Sequence, residues 1–459
     1  MHITNLNPDS DIGASAWMVE LDGCRLLMDA GMHPKREGHE ALPIYKMLDD
    51  KDLDAIAISH CHHDHVGSLP VAMSHSRKAR VVMTELSCSL VGRVLHNSVN
   101  VMLRQREDRG IREYPLFTHH QVEEDEEQFQ GFKYNREIDW GPRGKSRRAG
   151  FSSPTLEFFD AGHALGSAGI LVRGKSQTLF YTGDVCFHDQ TLLKSARFDG
   201  IESDILIMET TRGNRLPPPG FTREKEIERM TAAIRRVLAR RGSVLLPAFA
   251  LGRTQEILAE LALMMRAGHI PHQPIYVGGL GRVFTEIYDQ KAHLTARQLP
   301  NLQLSEELQP IVLEREELGS IKLGGGRIFV LTAGMLTEST PAHDLAVRMM
   351  DDPRQAIFFV GYADPDTPGG RLKTSKPGEP FIFSAGAGEL TRRCEMQEFD
   401  LTAHANREDL LDFAGRVSPR VILLGHGELS SRQWFEEQLR ARHPRIRVVQ
   451  PAPGLVVDV

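Results

Sequence analysis

The stretch Ile58-Ser-His-Cys-His-His-Asp-His-Val-Gly-Ser-Leu-Pro70 constrains this chain more than any other feature. Four potential metal ligands, His60, His62, Asp64 and His65, fall within six residues. They follow Leu53-Asp-Ala-Ile-Ala-Ile-Ser59, which reads as a short buried strand. A strand that runs on into a ligand-rich turn aims side chains of period two, here His60 and His62, to one side. Asp64 and His65 then sit where the chain turns away, and Gly67 permits close backbone approach. Imidazole and carboxylate suit zinc, manganese or iron, and the lack of thiolate ligands argues against a closed structural zinc site. The competing reading is a solvated His-rich loop; the tight order His-x-His-x-Asp-His speaks against it.

A chain of 459 residues has room for two domains, or for one large domain with an insertion. Hydrophobic content of 41% and charged content of 25% fit a soluble globular protein. The formal net charge of −6 offers no global attraction to nucleic acid, so a polyanion would need a local basic groove. Cys24, Cys61, Cys88, Cys186 and Cys394 lack paired spacing, which points to reduced thiols and a cytoplasmic setting. Neither a signal-peptide pattern nor an apolar run of roughly 18 residues is present, so no membrane association is expected.

In chain order, Ala16–Leu21 and Cys24–Met28 flank Asp22-Gly23, a strong hairpin signal, and the second strand runs into Asp29-Ala-Gly31. Arg80–Thr84 reads as a strand and Ser87–Leu103 as a helix. From about Arg104 to Gly150 the pattern breaks, with an acidic run at Glu123–Glu127 and a basic run at Arg143–Arg148. A solvated surface excursion is the favoured reading there; a basic lining for a substrate channel is the alternative. Leu156–Phe159 leads to Asp160-Ala-Gly-His163, and a hairpin over 169–182 ends at Gly183-Asp184. Asp204–Met208 ends at Glu209. After Leu216-Pro-Pro-Pro-Gly220, strands and helices alternate, beginning with an amphipathic helix over Arg223–Arg241 that carries Ile227, Met230, Ile234 and Leu238. That alternation predicts a separate parallel α/β sheet. Past residue 395, two strand ends each carry a histidine, His404 and His426.

Taken together, Ser59-His-Cys-His-His-Asp-His65, Ala161-Gly-His163, Thr182-Gly-Asp184, Met208-Glu-Thr-Thr-Arg-Gly213, Pro247–Glu256, Thr332–Leu336, Leu401-Thr-Ala-His404 and Gly425-His-Gly-Glu428 resemble the β-CASP branch of the metallo-β-lactamase superfamily. That branch includes the endonuclease of eukaryotic pre-mRNA 3′-end processing and its bacterial and archaeal relatives. The resemblance implies an α/β fold, a metallo-β-lactamase αββα sandwich with an inserted parallel-sheet β-CASP domain. It places the sandwich at 1–208 and 396–459, the insert at 209–395, and the substrate cleft between the two. It also implies two zinc ions, with manganese as the alternative. His60, His62, His163 and Asp184 would hold one; Asp64, His65, Asp184 and His426 would hold the second. Asp29 would support the metal loop, as a residue that orients the histidines.

The activity so implied is two-metal hydrolysis of phosphodiester bonds, with His404 protonating the leaving oxygen and Glu209 holding its ring. His426, where DNA-directed members carry valine, favours single-stranded RNA over DNA. Endonucleolytic attack is expected, a 5′-exonuclease mode is the variant, and a homodimer is left open. A catalytically silent subunit and a small-ester or thioester hydrolase are the competing readings. Two departures from the family pattern stand out. Gly361-Tyr-Ala-Asp-Pro-Asp-Thr-Pro-Gly-Gly370 adds two acids near a presumed polyanion path, and Tyr276-Val-Gly-Gly-Leu280 lacks the usual Asp-Ser-Pro.

Overall fold

The computed structural model describes residues 1–49, 52–141, 153–384 and 388–459, so the basic run at 143–148 lies outside the described residues. The chain forms two compact units. One comprises Met1–Asp189, Ser195–Leu216 and His404–Val459; the other comprises Gln190–Lys194 and Pro217–Ala403.

The first unit holds two seven-stranded sheets. One runs, in spatial order, Val456–Asp458, His2–Asn5, Trp17–Leu21, Cys24–Met28, Ala55–Ala57, Arg80–Thr84 and Phe129–Phe132. The other runs Arg447–Val449, Val421–Gly425, Ile205–Glu209, Thr178–Tyr181, Ala168–Arg173, Thr155–Asp160 and Ile138–Asp139. The expected hairpin forms with Leu21 opposite Cys24, and Asp22 and Gly23 both take the positive φ of a type I′ turn, 52° and 77°.

Strand alternation then does the layering. Trp17, Val19, Leu26 and Met28 meet Phe158, Ile170, Val172 and Ile207 in one buried core between the sheets. Leu171, Phe180, Leu206, Met208, Ile422 and Leu424 point the opposite way. They pack on Leu410 and Phe413 of helix Arg407–Val417 and on Phe435 and Leu439 of helix Leu429–Arg442. Burial of each such side chain stabilises the fold by about 1.5–3 kcal/mol.

Within the expected surface excursion after Arg104, the described residues include regular elements. The helix Val91–Arg109 stops at Gly110, whose φ is 71°, and is followed by helix His119–Glu126 and strand Phe129–Phe132. That strand pairs in parallel with Arg80–Thr84 and forms an edge of the first sheet.

The second unit is built on the predicted parallel sheet. Its order is Ile311–Val312, Ile275–Val277, Ile328–Leu331, Val244–Pro247, Ala356–Phe359, Glu395–Glu398, with every pairing parallel. Helix Arg223–Ala239 is capped by the Thr222 hydroxyl, which accepts from Lys225 N–H at 3.3 Å, and it buries Met230, Ile234 and Leu238. Helix Arg253–Arg266 is buried along nearly its whole length, acids included. Among the described residues no helix is long and apolar enough to cross a membrane, and all five cysteines are free thiols.

Candidate metal centre

The site stands at the ends of the strands of the first unit. Strand Ala55–Ala57 ends earlier than the sequence suggests, so His60 and His62 project from an extended turn rather than from a strand. His62 then caps a one-turn helix, His63–Val66, that carries Asp64 and His65. The turn fits only because residue 31 is glycine: a Cβ there would lie 1.8 Å from the Asp64 carbonyl oxygen.

Asp29, at the end of strand Cys24–Met28 and with φ 63°, is fully buried behind this loop. Its Oδ1 accepts from Ser59 N–H at 2.7 Å. Its Oδ2 accepts from the Ser59 hydroxyl at 2.8 Å, the Tyr181 hydroxyl at 2.7 Å and His65 Nδ1–H at 2.8 Å. The Ser59 hydroxyl lies 3.1 Å from His60 Nδ1. Asp29 thus fixes Nδ1 of His65 as a donor and turns its Nε2 toward the centre.

The remaining side chains arrive from the second sheet. His163 follows strand Thr155–Asp160, its N–H held by the Ser167 hydroxyl at 3.1 Å. Asp184 follows strand Thr178–Tyr181 through Gly183, and His426 follows strand Val421–Gly425 with φ 47°. One ligand atom each from His60, His62, His163 and Asp184 lies within 4.8 Å of the others; Asp64, His65 and His426 form a second such set. Asp184 spans both. Its Oδ2 is 3.7 Å from Nε2 of His60 and of His163, while its Oδ1 is 3.4 Å from His65 Nε2 and 3.2 Å from His426 Nδ1. Glu209, 2% exposed, accepts from Val185 N–H at 2.7 Å and holds His404 Nδ1 at 3.2 Å.

The charge arrangement bears on what this donor set can hold. Burial, with the neighbouring His65, holds His60 well below the usual imidazole range, so that ring is neutral. Burial alone would also lower His65 and His426, but Asp184 and Asp64 outweigh it and raise both. Burial would raise Asp184, yet His426 and His65 hold it well below the ordinary carboxylate range. Two carboxylates are therefore stabilised by positive charge carried on imidazoles, the role a cation fills more effectively. His60 Nε2 is buried without a hydrogen-bond partner, and Asp184 Oδ1 is met only by the imidazoles of His65 and His426. Buried nitrogen and oxygen donors converging in two sets that share one carboxylate fit a pair of cations.

A third group, Asp9, Asp11 and His33, differs in kind. Lys35 N–H donates to His33 Nδ1 at 3.1 Å, which leaves the ring proton on Nε2, 3.4 Å from each carboxylate. That histidine faces the acids as a donor, not as a ligand.

Ser59 and Tyr181 are functional neighbours that sequence reasoning missed. Ser59 adjoins the motif, but its partner lies 30 positions away, and Tyr181 is 152 positions from Asp29. The two acids of the 361–370 segment prove unlike one another. Asp364 is 3% exposed and is turned into its own loop, accepting from the Tyr362 hydroxyl at 3.1 Å and Asp366 N–H at 3.0 Å, whereas Asp366 is exposed.

Comparison with known proteins gives the family. Residues 10–223 match the metallo-beta-lactamase superfamily model, 254–372 the Beta-Casp domain, and 389–451 the Zn-dependent metallo-hydrolase RNA specificity domain. The chain is 30% identical to the probable RNase MJ4 of Methanocaldococcus jannaschii, over 91% of each chain. It is 25% identical to the endoribonuclease YSH1 of Eremothecium gossypii over 99% of this chain, and it spans 59% of that longer relative. A crystal structure of an Enterococcus faecalis V583 protein of unknown function shares the fold, with a TM-score of 0.57 at 14% identity and 99% coverage of both chains. With these domain models matched and a relative 30% identical over 91% of each chain, the chain belongs to the β-CASP family of the metallo-β-lactamase superfamily.

Proposed function

We propose that this protein is a metal-dependent ribonuclease that cuts internal phosphodiester bonds of single-stranded RNA. The observation that carries the reading is the single carboxylate, Asp184, set between two clusters of ligating atoms with the Glu209–His404 pair beside it. The match of residues 389–451, which include His404 and His426, to an RNA specificity domain supports the choice of polymer.

His60, His62, His163 and Asp184 would hold one zinc ion, and Asp64, His65, Asp184 and His426 the other, with manganese the alternative occupant. Bound there, divalent cations supply Lewis-acid chemistry, neutralising phosphoryl charge and acidifying water. The chain's own groups do the rest. Asp29 keeps the ligating lone pair of His65 turned inward. Glu209, pinned by Val185 N–H, takes the Nδ1 proton of His404 as a hydrogen bond and so orients the ring. The His404 side chain is 22% exposed against 1% for Glu209, so its far nitrogen can reach a leaving oxygen and donate a proton to it. Because Asp364 is turned into its own loop, Asp366 is the acid of that segment available to repel a polyanion.

The test is cleavage of internally labelled single-stranded RNA and DNA by the zinc-loaded protein, with an Asp64→Ala, His65→Ala double variant run alongside. Internal RNA fragments that vanish in the variant are the expected outcome. Mononucleotides would instead assign a 5′-exonuclease mode, and failure to cut RNA would overturn the reading.

A further inference from the structure

The loop that leaves Asp184 also carries an excursion with a purpose of its own. Cys186 N–H donates to Ala161 O at 2.9 Å and Ala196 N–H to Cys186 O at 2.7 Å, closing the excursion at its base. At the neck, Ser195 N–H donates to the Asp189 carboxylate at 2.8 Å. The tip, Gln190–Lys194, is by its packing a part of the second unit.

There Glu256, 1% exposed, accepts three successive backbone N–H groups. Thr191 at 2.7 Å and Leu192 at 2.9 Å bond Oε2, and Leu193 at 3.2 Å bonds Oε1. The Thr191 hydroxyl donates to Glu260 and accepts from Arg223 Nη2 at 3.1 Å; Arg253 Nη2 donates to Gln190 Oε1 at 3.0 Å. Lys194 N–H donates to Ala296 O at 3.0 Å and Gln298 N–H to Leu192 O at 2.8 Å. A five-residue turn does not need such anchoring, and a carboxylate is costly to bury unless its lone pairs are filled. Here successive N–H groups fill them, as a backbone nest fills those of a bound anion.

We propose that Glu256 is a positioning residue for the metal centre. By gripping the tip it fixes the excursion, and the base of the excursion sets Val185, which donates its N–H to Glu209 at 2.7 Å and accepts from Ala405 N–H at 2.6 Å. Val185 adjoins Asp184 on one side of the loop and steadies the Glu209–His404 pair on the other. Folding of the inserted unit is thereby made a condition for a well-formed metal centre. The inference rests on the roles assigned above to Asp184 and His404.

The test titrates metal-free, full-length protein with cobalt(II), reading visible absorption and competition with a chromogenic chelator, beside RNA cleavage and thermal melting. Glu256→Ala is expected to melt cooperatively yet bind cobalt about tenfold or more weakly, with an altered spectrum. Its kcat should fall while KM stays near wild type. Glu256→Gln keeps an oxygen for Thr191 and Leu192 but loses the Leu193 bond, so it should recover most of the affinity, staying about fivefold weak. Wild-type cobalt affinity and spectrum in a folded Glu256→Ala protein would overturn the proposal. If that variant does not fold, wild-type affinity in Glu256→Gln overturns it instead. A wild-type protein that cuts no RNA while the cobalt effect persists would sink the ribonuclease reading and leave the clamp standing.

Discussion

Replacing Asp29 with Asn should weaken metal binding without unfolding the protein, because it changes proton positions rather than shape. Oδ2 of Asp29 accepts three hydrogen bonds, from Ser59, Tyr181 and His65, at 2.7–2.8 Å. An amide NH2 in that place can only donate. The two hydroxyls can rotate to accept, so the packing survives at a cost of about 1–3 kcal/mol for lost charge-assisted bonds. His65 can accept only by moving its proton from Nδ1 to Nε2, which blocks the lone pair facing Asp184. Ser59, once its hydroxyl no longer donates to Asp29, is free to donate to His60 Nδ1, 3.1 Å away. That puts the His60 proton on Nε2, the orphaned atom of the first cluster.

One substitution therefore mistunes a ligand in each cluster, and changes to such supporting groups weaken metal affinity about 10–100-fold. Cobalt or zinc competition against a chromogenic chelator measures this, with thermal melting as the control. Ser59→Ala should weaken the His60 cluster alone, and Tyr181→Phe should change affinity little. Equal losses in Asp29→Asn and Tyr181→Phe, or unchanged affinity in Asp29→Asn, would refute the tautomer argument.

Three further outcomes follow from the geometry. His404→Gln should lower kcat for RNA cleavage about 10²–10⁴-fold while leaving cobalt affinity within a few-fold; a matching loss of metal would show that His404 is a ligand instead. Gly31→Ala drives a methyl into the Asp64 carbonyl and should destabilise the fold by about 3 kcal/mol or more, read by urea unfolding, so wild-type stability would mean that the turn is not so confined. Burial pushes the Asp160 carboxyl up to about 6 from its ordinary 3.8, against the opposing Gly162 N–H and Arg197. The folded state thus holds this proton more tightly, so its contribution is intact below about pH 4 and is lost as pH rises toward 6, by at most about 3 kcal/mol. Asp160→Asn, which keeps an oxygen for Gly162 N–H, should lack that loss and gain on wild type between pH 4 and 7.5; parallel stability curves would contradict it.

The parts of the fold that read clearly from sequence are those whose cause is local. Asp22-Gly23 specifies its own turn, and His60 to His65 announce themselves by spacing. The strand–helix alternation after residue 220 likewise carries its own period. What stayed hidden depends on partners far along the chain. Phe129–Phe132 is an edge strand with a glycine and no alternation, held by pairing with Arg80–Thr84, so it resembled a loop. Helix His119–Glu126 buries only Val122 and Asp125 and shows almost no apolar stripe. Glu256 stood out only as the end of the Pro247–Glu256 motif, with no role attached, because the amides it binds lie some 63–65 positions earlier. Distance in sequence erased the signal in each case.

The spread of the proposed metal ligands along the chain also has a meaning for biosynthesis. Asp64 and His426, whose side chains meet at 3.2 Å, are 362 positions apart. At about 5–20 residues per second of synthesis, roughly 20–70 s separate their emergence. Throughout that interval the growing polypeptide has no second cluster, and strand Ile205–Glu209 lacks its neighbour Val421–Gly425. The proposed two-cluster site is in this way incomplete until strand Val421–Gly425 and the His426 that follows it have been made.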